Sequence, residues 1–342
     1  MAFVDVGAAR FSLQTYDTAA GGARVAAEHA VADGAGVILG PLLAADARAV
    51  APVAAGAGVP VFSFTNDASV AGGGTYVLGF QPTQSIARVI AFAEAKGVHS
   101  FAALIPSGTY GARASTAFLR AVQAGGGAVT GVVTYTRDRK QLALAARKVT
   151  AYDARLAHAG PGGGGAPVLR PDGTVAPVAS RLSAVPFQAL MIADSGGLAG
   201  AFGPALTQYG AGGAKILGTE LWASEPALGN AGALRGAWFA AVPDARFQKL
   251  AARYRVKNGG RPSRLASLGY DAVLLVQSQS SHWQVGSPFP RSGLADPGGF
   301  TGVDGVFRFA SNGVAERALE VRQVGAGGAV VVSPAPMGFG GR

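Results

Sequence analysis

The 342-residue sequence predicts an α/β protein with doubly wound parallel sheets covered by helices on both faces, on three observations. A strand–helix–strand order recurs three times along the chain. Its strands are short apolar runs, such as residues 37–39 and 102–105, of the kind buried on both faces. Its helices stop at Gly or Gly-Gly, residues that accept the left-handed conformation closing a helix. Right-handed crossovers between such strands give a parallel sheet.

The first repeat, "GVILGPLLAADARAVAPVAAGAGVPVFSFTND", reads as strand, Pro-containing loop, helix, Gly stop, strand and polar end. Next, "TQSIARVIAFAEAKG" carries Ile86, Val89, Ile90 and Ala93 on one helical face and stops at Gly97. "SFAALIPSGTYGARASTAFLRAVQAGGGAVTGVVTYTRD" is the second repeat, with a single helix between its strands. Residues 158–180 lack periodicity and are rich in Gly and Pro, so they read as a long mobile loop or insertion. The third repeat is "FQALMIADSGGLAGAFGPALTQYGAGGAKILGTELWAS". "DARFQKLAARYRVKNGG" then sets Phe247, Leu250, Ala251 and Tyr254 on one side of a helix. "LASLGYDAVLLVQSQ" is apolar nearly all round and is expected to be buried. Finally, "GVFRFASNGVAERALEVRQV" alternates on either side of Ser311-Asn312-Gly313, a hairpin signal.

Composition removes several function classes. Hydrophobic residues are 49% and charged residues 14%, which excludes a disordered or nucleic-acid-like chain. No apolar run reaches the ~18–20 residues that cross a bilayer. Without cysteine there are no disulfides, thiol nucleophiles or Fe–S clusters. The net charge of +10 is concentrated in one place: Arg246, Lys249, Arg253, Arg255, Lys257, Arg261 and Arg264 fall together with no acid among them. This stretch is either a solvated helix face or a docking surface for an anionic partner, with Arg253, Arg255, Lys257 and Arg261 as its candidates. Phe247 and Tyr254 apart, both on the apolar side of the helix, no aromatic residues interleave with these cations, which argues against nucleic acid.

Ligands of open parallel sheets bind beyond the carboxyl ends of the strands, and six such exits can be placed, at 41–46, 63–69, 106–115, 134–138, 194–200 and 219–224. The exit at 63–69 packs Ser63, Thr65, Asn66, Asp67 and Ser69 directly after an apolar strand. Tyr110, Tyr135 and Trp222 are the exposed aromatic candidates, although Trp222 also fits a hydrophobic cap. Asp67, Asp194 and Glu220 could act as acid–base groups, and Asp67 and Asp194 equally fit helix N-caps. Catalytic motifs fail: there is no Gly-Lys dipeptide for a phosphate loop and no G-x-S-x-G elbow. The G-x-G-x-x-G at Gly160, Gly162 and Gly165 sits inside the glycine-rich loop, and the four histidines are isolated, so neither a dinucleotide nor a metal is expected.

"VILGPLLAADARAVAPVAAGAGVPVFSFTNDASV" resembles the first lobe of the type I periplasmic binding proteins, in the leucine/isoleucine/valine-binding branch. "IPSGTYGARASTAFLRAVQAGG" resembles the opening of their second lobe. "ILGTELWASEPALGNAGALRGAWFAA" and "PSRLASLGYDAVLLVQ" resemble a subgroup of lipoproteins, the penicillin-binding-protein activators. The resemblance runs from about residue 11 to 336. It implies two α/β lobes joined by three crossing segments, with a ligand held in a cleft by hinge closure. Lobe I would hold 1–97 and the return segment 241–300; lobe II would hold 98–240 and the hairpin and tail, 301–342. Ligand contacts carried over are Leu43, Ser63, Thr65, Asn66, Asp67 and Ser69 from lobe I, and Tyr110, Asp194, Ser195, Glu220 and Trp222 from lobe II.

Two departures accompany the resemblance. The family begins with a strand of the "VALLLPLSG" kind after an export signal, whereas "MAFVDVG" resembles the end of the first helix, so the first strand and helix of lobe I are expected to be missing. The exit "GPLLAAD" lacks the Ser-rich run of dedicated amino-acid binders, which favours the activator subgroup or another ligand. The resemblance implies a non-enzymatic periplasmic protein without cofactor or metal. Its expected role is capture of a small amino-acid-like ligand for an ABC permease, or regulation of a cell-wall synthase by protein contact with a vestigial cleft. Any membrane attachment would come through a lipid anchor absent from this chain.

Overall fold

The computed structural model describes residues 11–159, 168–169, 175–176, 182–225 and 228–339. The chain divides into two compact units, the first made of Met1–Gln84, Val242–Glu320 and Ser333–Arg342, the second of Ser85–Ala241 and Val321–Val332.

In the first unit, β1 (Ile38–Leu39), β2 (Val61–Ser63) and β3 (Thr75–Val77) pair in parallel in that order. Helices α1 (Ala23–Ala32) and α2 (Ala44–Gly56) pack Ala23, Ala27, Val50 and Ala54 onto Val59 and Val61. The second core of this unit gathers around Phe62, with its ring 5.3 Å from Tyr76 and 5.9 Å from Phe309. Phe309 belongs to an antiparallel sheet of β11 (Phe300–Gly302), β12 (Gly305–Phe309) and β13 (Ala315–Arg317). Its hairpin turns at Gly313, whose φ of +80° suits glycine, and the Asn312 side chain accepts from Val314 N–H at 3.0 Å.

The observed units move several expected boundaries. Of residues 301–342, expected in the second lobe, 301–320 belong to the first unit, where Phe307, Phe309 and Ala315 fill the core. So does Ser333–Arg342, where the Phe339 ring lies 4.6 Å from the Arg308 guanidinium. Residues 85–97 move the other way. The helix α3 (Pro82–Ala95) lays Ile86, Val89, Ile90 and Ala93 into the core of the second unit.

Between α9 (Ala245–Asn258) and β13 lies a buried ionic cluster. Arg264 is paired with Asp304, Ser267 Oγ donates to Asp304 Oδ2 at 2.7 Å, and the Arg264 guanidinium lies 4.2 Å from the Phe247 ring. Asp271, on α10 (Ala266–Gln279), accepts from the Val303 N–H at 2.5 Å and stands 4.0 Å from Arg317. Burial, then the Asp304 charge, push the Asp271 carboxyl above its ordinary value. Arg264 is therefore interior and drops out of the basic surface that the sequence suggested.

One edge of the first sheet is open among the described residues. Ile38 N–H and Gly40 N–H bond to Pro60 O and Phe62 O, each at 2.9 Å, so Leu39 between them turns its backbone groups away from β2. No described strand pairs with it there. A cavity of about 720 Å³ lies along this edge, lined in part by Ala23, Ala27, Leu39, Val276 and Trp283.

The second unit centres on a seven-stranded sheet ordered β15–β14–β10–β9–β8–β4–β5. The strands are β4 (Ser100–Pro106), β5 (Ala128–Tyr135), β8 (Ala189–Ile192), β9 (Lys215–Gly218), β10 (Trp238–Ala241), β14 (Glu320–Gly325) and β15 (Gly328–Ser333), of which β4, β5, β8, β9 and β10 pair in parallel. Alternation is complete on β4: Ala102 and Leu104 enter one core, Phe101, Ala103 and Ile105 the other. The first of these cores is covered by α5 (Arg139–Val149), the second by α3 and α4 (Thr109–Ala124). After α6 (Tyr152–His158), the glycine-rich stretch 158–180 lies largely outside the described residues; β6 (Val168–Leu169) and β7 (Val175–Ala176) within it form an antiparallel pair. The single helix expected in the third repeat is instead two, α7 (Gly196–Ala201) and α8 (Gly203–Gln208). Pro204 has no N–H to continue α7, and it sits where a first turn tolerates proline.

Candidate functional site

In the first unit, β2 ends in a hydroxyl-rich turn because its last residue, Ser63, is already buried and needs a partner. Ser63 Oγ donates to Pro41 O at 2.9 Å, tying the exit of β2 to that of β1. The Thr65 hydroxyl accepts from Asp67 N–H at 3.2 Å. Asp67 then caps the single turn Ala68–Val70, accepting from Ser69 N–H at 3.1 Å and Ser69 Oγ at 2.7 Å. Its second oxygen accepts from Arg48 Nη2 at 2.5 Å. Asp67 is thus capped and charge-paired, the N-cap alternative of the two that its sequence position offered. Asn66 and Ser69 are exposed, and Leu43 stands 62% exposed at the start of α2.

In the second unit, the chain order places a topological switch at β4, since β5 lies on one side of it and β8, β9 and β10 on the other. Tyr110 follows β4, Asp194 follows β8, and Thr219 and Glu220 follow β9. Tyr110 Oη lies 3.0 Å from Thr219 Oγ1 and 3.1 Å from Glu220 Oε1. Ser85 Oγ donates to the other Glu220 oxygen. Burial, then the Glu220 charge, push the Tyr110 phenol far above its ordinary value, which keeps it a hydroxyl donor. Burial also pushes the Glu220 carboxyl up, partly offset by its bonds from Ser85 and Tyr110. Among the described residues, Glu220 has three-sided hydroxyl and backbone support but no cationic partner.

Asp194 is different. Arg137 grips it with Nε at 2.9 Å and Nη2 at 3.1 Å, while the buried Tyr135 hydroxyl donates at 2.9 Å. Ser195, not Asp194, caps α7, with Oγ accepting from Leu198 N–H at 3.3 Å. The next two N–H groups of that helix are taken by Glu225, from Gly196 at 3.0 Å and Gly197 at 3.2 Å.

Two aromatic candidates are corrected. Trp222 is 1% exposed: its Nε1–H donates to Asp194 O at 2.9 Å and its ring lies 5.8 Å from Phe239, in the core. Gly218 permits this, because a Cβ there would stand 2.4 Å from the indole. Tyr135 is buried edge-on against Phe202 at 5.0 Å. Trp222 and Tyr135 therefore order Asp194 from behind, and Tyr110 alone of the three keeps part of its surface open. Sequence reasoning missed Arg48, Arg137, Ser85 and Glu225, whose partners lie 19, 57, 135 and 29 residues away along the chain.

The periplasmic binding protein family model matches residues 10–329, and the chain belongs to that family. Solved structures share its fold. The leucine-binding protein LivK of Thermotoga maritima MSB8 is 21% identical with a TM-score of 0.58, covering 92% of this chain and 83% of its own. An ABC transporter substrate-binding protein of Desulfitobacterium hafniense in complex with Leu is 18% identical with a TM-score of 0.62, covering 91% and 84%. Full-length LpoA of Haemophilus influenzae is 18% identical with a TM-score of 0.64, covering 97% of this chain and 55% of that one. No curated protein matches.

Proposed function

We propose that this member of the periplasmic binding protein family captures a small, polar, amino-acid-like ligand and delivers it to an ABC permease from the periplasm. The observation that supports this most directly is Glu220, a carboxylate drawn into the protein beside Tyr110 without a cation to balance it. Buried charges are ordinarily paired, and a ligand ammonium is the partner this site lacks. Of the first unit's candidates, Asn66, Ser69 and Leu43 stay exposed, while Ser63, Thr65 and Asp67 are buried among their own partners. Asp194 and Ser195 position the loop rather than the ligand, and no catalytic residue is assigned.

Thermal-shift measurements of the full chain against the common amino acids test this. A ligand at ~100 times its Kd raises stability by roughly 2.7 kcal/mol. Glu220→Gln should weaken binding of an amine ligand about tenfold to a hundredfold, with a smaller loss for Tyr110→Phe. Binding that is indifferent to Glu220→Gln would remove the ammonium assignment.

A second reading has its own support in the motifs resembling penicillin-binding-protein activators and in the likeness to LpoA. There the chain regulates a cell-wall synthase by contact and needs no ligand. A flat amino-acid screen, together with a changed rate of a purified bifunctional synthase on adding the chain, would favour it.

A further inference from the structure

The helix α9 is anchored on one face and charged on the rest. Phe247, Leu250 and Ala251 are buried, so the face opposite them looks outward. At 100° per residue, Ala245, Ala252 and Val256 lie along that outward line, with Lys249 beside them. All four are exposed, and Val256 is 89% exposed. Arg246, Arg253 and Lys257, spaced seven and four residues apart, share one flank of this line, and Arg255 stands on the other. The helix closes at Gly259, with φ of +74°, and the exposed Arg261 follows, its Nη2 donating to Gln248 Oε1 at 2.9 Å. Between Asp244 and Asp271 the sequence has seven cations and no acid. Asp244 accepts from Gln248 and lies 3.7 Å from Arg264, while Asp271 is buried.

We propose that the outward face of α9 docks the first unit on an anionic phospholipid surface. The charge complementarity is one-sided over four helical turns. The outermost line carries Ala245, Ala252 and Val256 with one cation, Lys249, among them, and further cations flank it. That arrangement suits a helix lying in the headgroup layer, where Val256 enters the acyl boundary and the Lys and Arg stems reach outward to phosphates. An acidic polypeptide would use the cations equally but would leave Val256 in water. No helix among the described residues is long and apolar enough to cross a membrane, so the contact is a surface one.

Flotation of the full chain with phosphatidylcholine vesicles, with and without phosphatidylglycerol, tests this at low and high salt. The expected result is retention by phosphatidylglycerol vesicles alone, lost in ~1 M salt, where the Debye length falls to about 3 Å. Lys249→Glu with Lys257→Glu should weaken partitioning by about thirtyfold or more, and the milder Lys249→Gln with Lys257→Gln by several-fold. Val256→Ser should weaken it by roughly threefold. Because these side chains are exposed, unchanged circular dichroism and Tm are expected and separate a docking loss from misfolding. No retention, or retention indifferent to charge reversal, overturns the proposal. Equal retention on immobilised polyglutamate with Val256→Ser silent reassigns the face to an acidic polypeptide and overturns it as well.

Discussion

The exits of β2 and β9 both carry a carboxylate just past an apolar strand, yet the two are settled in opposite ways. Asp67 is closed on itself: Arg48 takes one oxygen and the Ser69 backbone and hydroxyl take the other. Glu220 receives only neutral donors, from Ser85 and Tyr110. Asp194, at the neighbouring exit of β8, follows Asp67, with Arg137 in the role of Arg48. The lesson is that residue type at a strand end does not decide its use. The cation that reaches it from another element does, and Glu220 alone among these three is held by neutral donors.

This contrast can be broken at graded cost. The fully interior reference is Arg264 with Asp304: Arg264→Met leaves a buried carboxylate without its cation and should cost about 3–5 kcal/mol, read from guanidinium unfolding. A loss below ~1 kcal/mol would mean that Ser267 and the buried Arg317 suffice to hold that charge. Asp194→Asn keeps an acceptor for Tyr135 but releases Arg137, and a loss of roughly 1–2 kcal/mol is expected by the same measurement. Asp67→Asn should lose only about 0.5–1 kcal/mol, because Asn still caps the turn and the Arg48 side chain is 55% exposed. A larger loss there would place Asp67 with the interior pair rather than with the surface ones.

Glu220→Gln should behave in the reverse sense. Burial raises the Glu220 carboxyl in the folded state above its ordinary value of 4.5. The folded protein therefore holds that proton more tightly than the unfolded chain. Stability from this group is fully present below the unfolded value and is lost as pH rises through the raised folded value. Glu220→Gln removes that slope, so its Tm should match the parent in acid and exceed it progressively toward neutral pH. A Tm difference that is flat with pH would mean that Glu220 is as well balanced as Asp67.

Much of the framework is legible in the sequence because it depends on local signals. The three strand–helix–strand repeats, the buried α10 and the Asn312-Gly313 hairpin follow from runs, periodicity and turn residues that act within a few positions. The strand β3 was not legible, since three residues of a Gly-flanked run give no period. Trp222, two residues after Glu220, reads from sequence either as exposed or as a hydrophobic cap, and it is the distant Phe239 and the backbone of Asp194 that bury it. Arg48 and Arg137 resemble any surface arginine until the fold brings their carboxylates within reach. Exits could be located from sequence, then, while the charge state of each depends on tertiary pairing.

Among the described residues, one flank of β1 has no paired strand: Leu39 has no ladder partner there, and a cavity lies alongside it. The seven-stranded sheet of the second unit seats β4 between two neighbours and under helices on both faces. Local opening starts where backbone bonds have water on one side, so the first unit should begin to unzip at β1 well before β4 exchanges any amide with solvent.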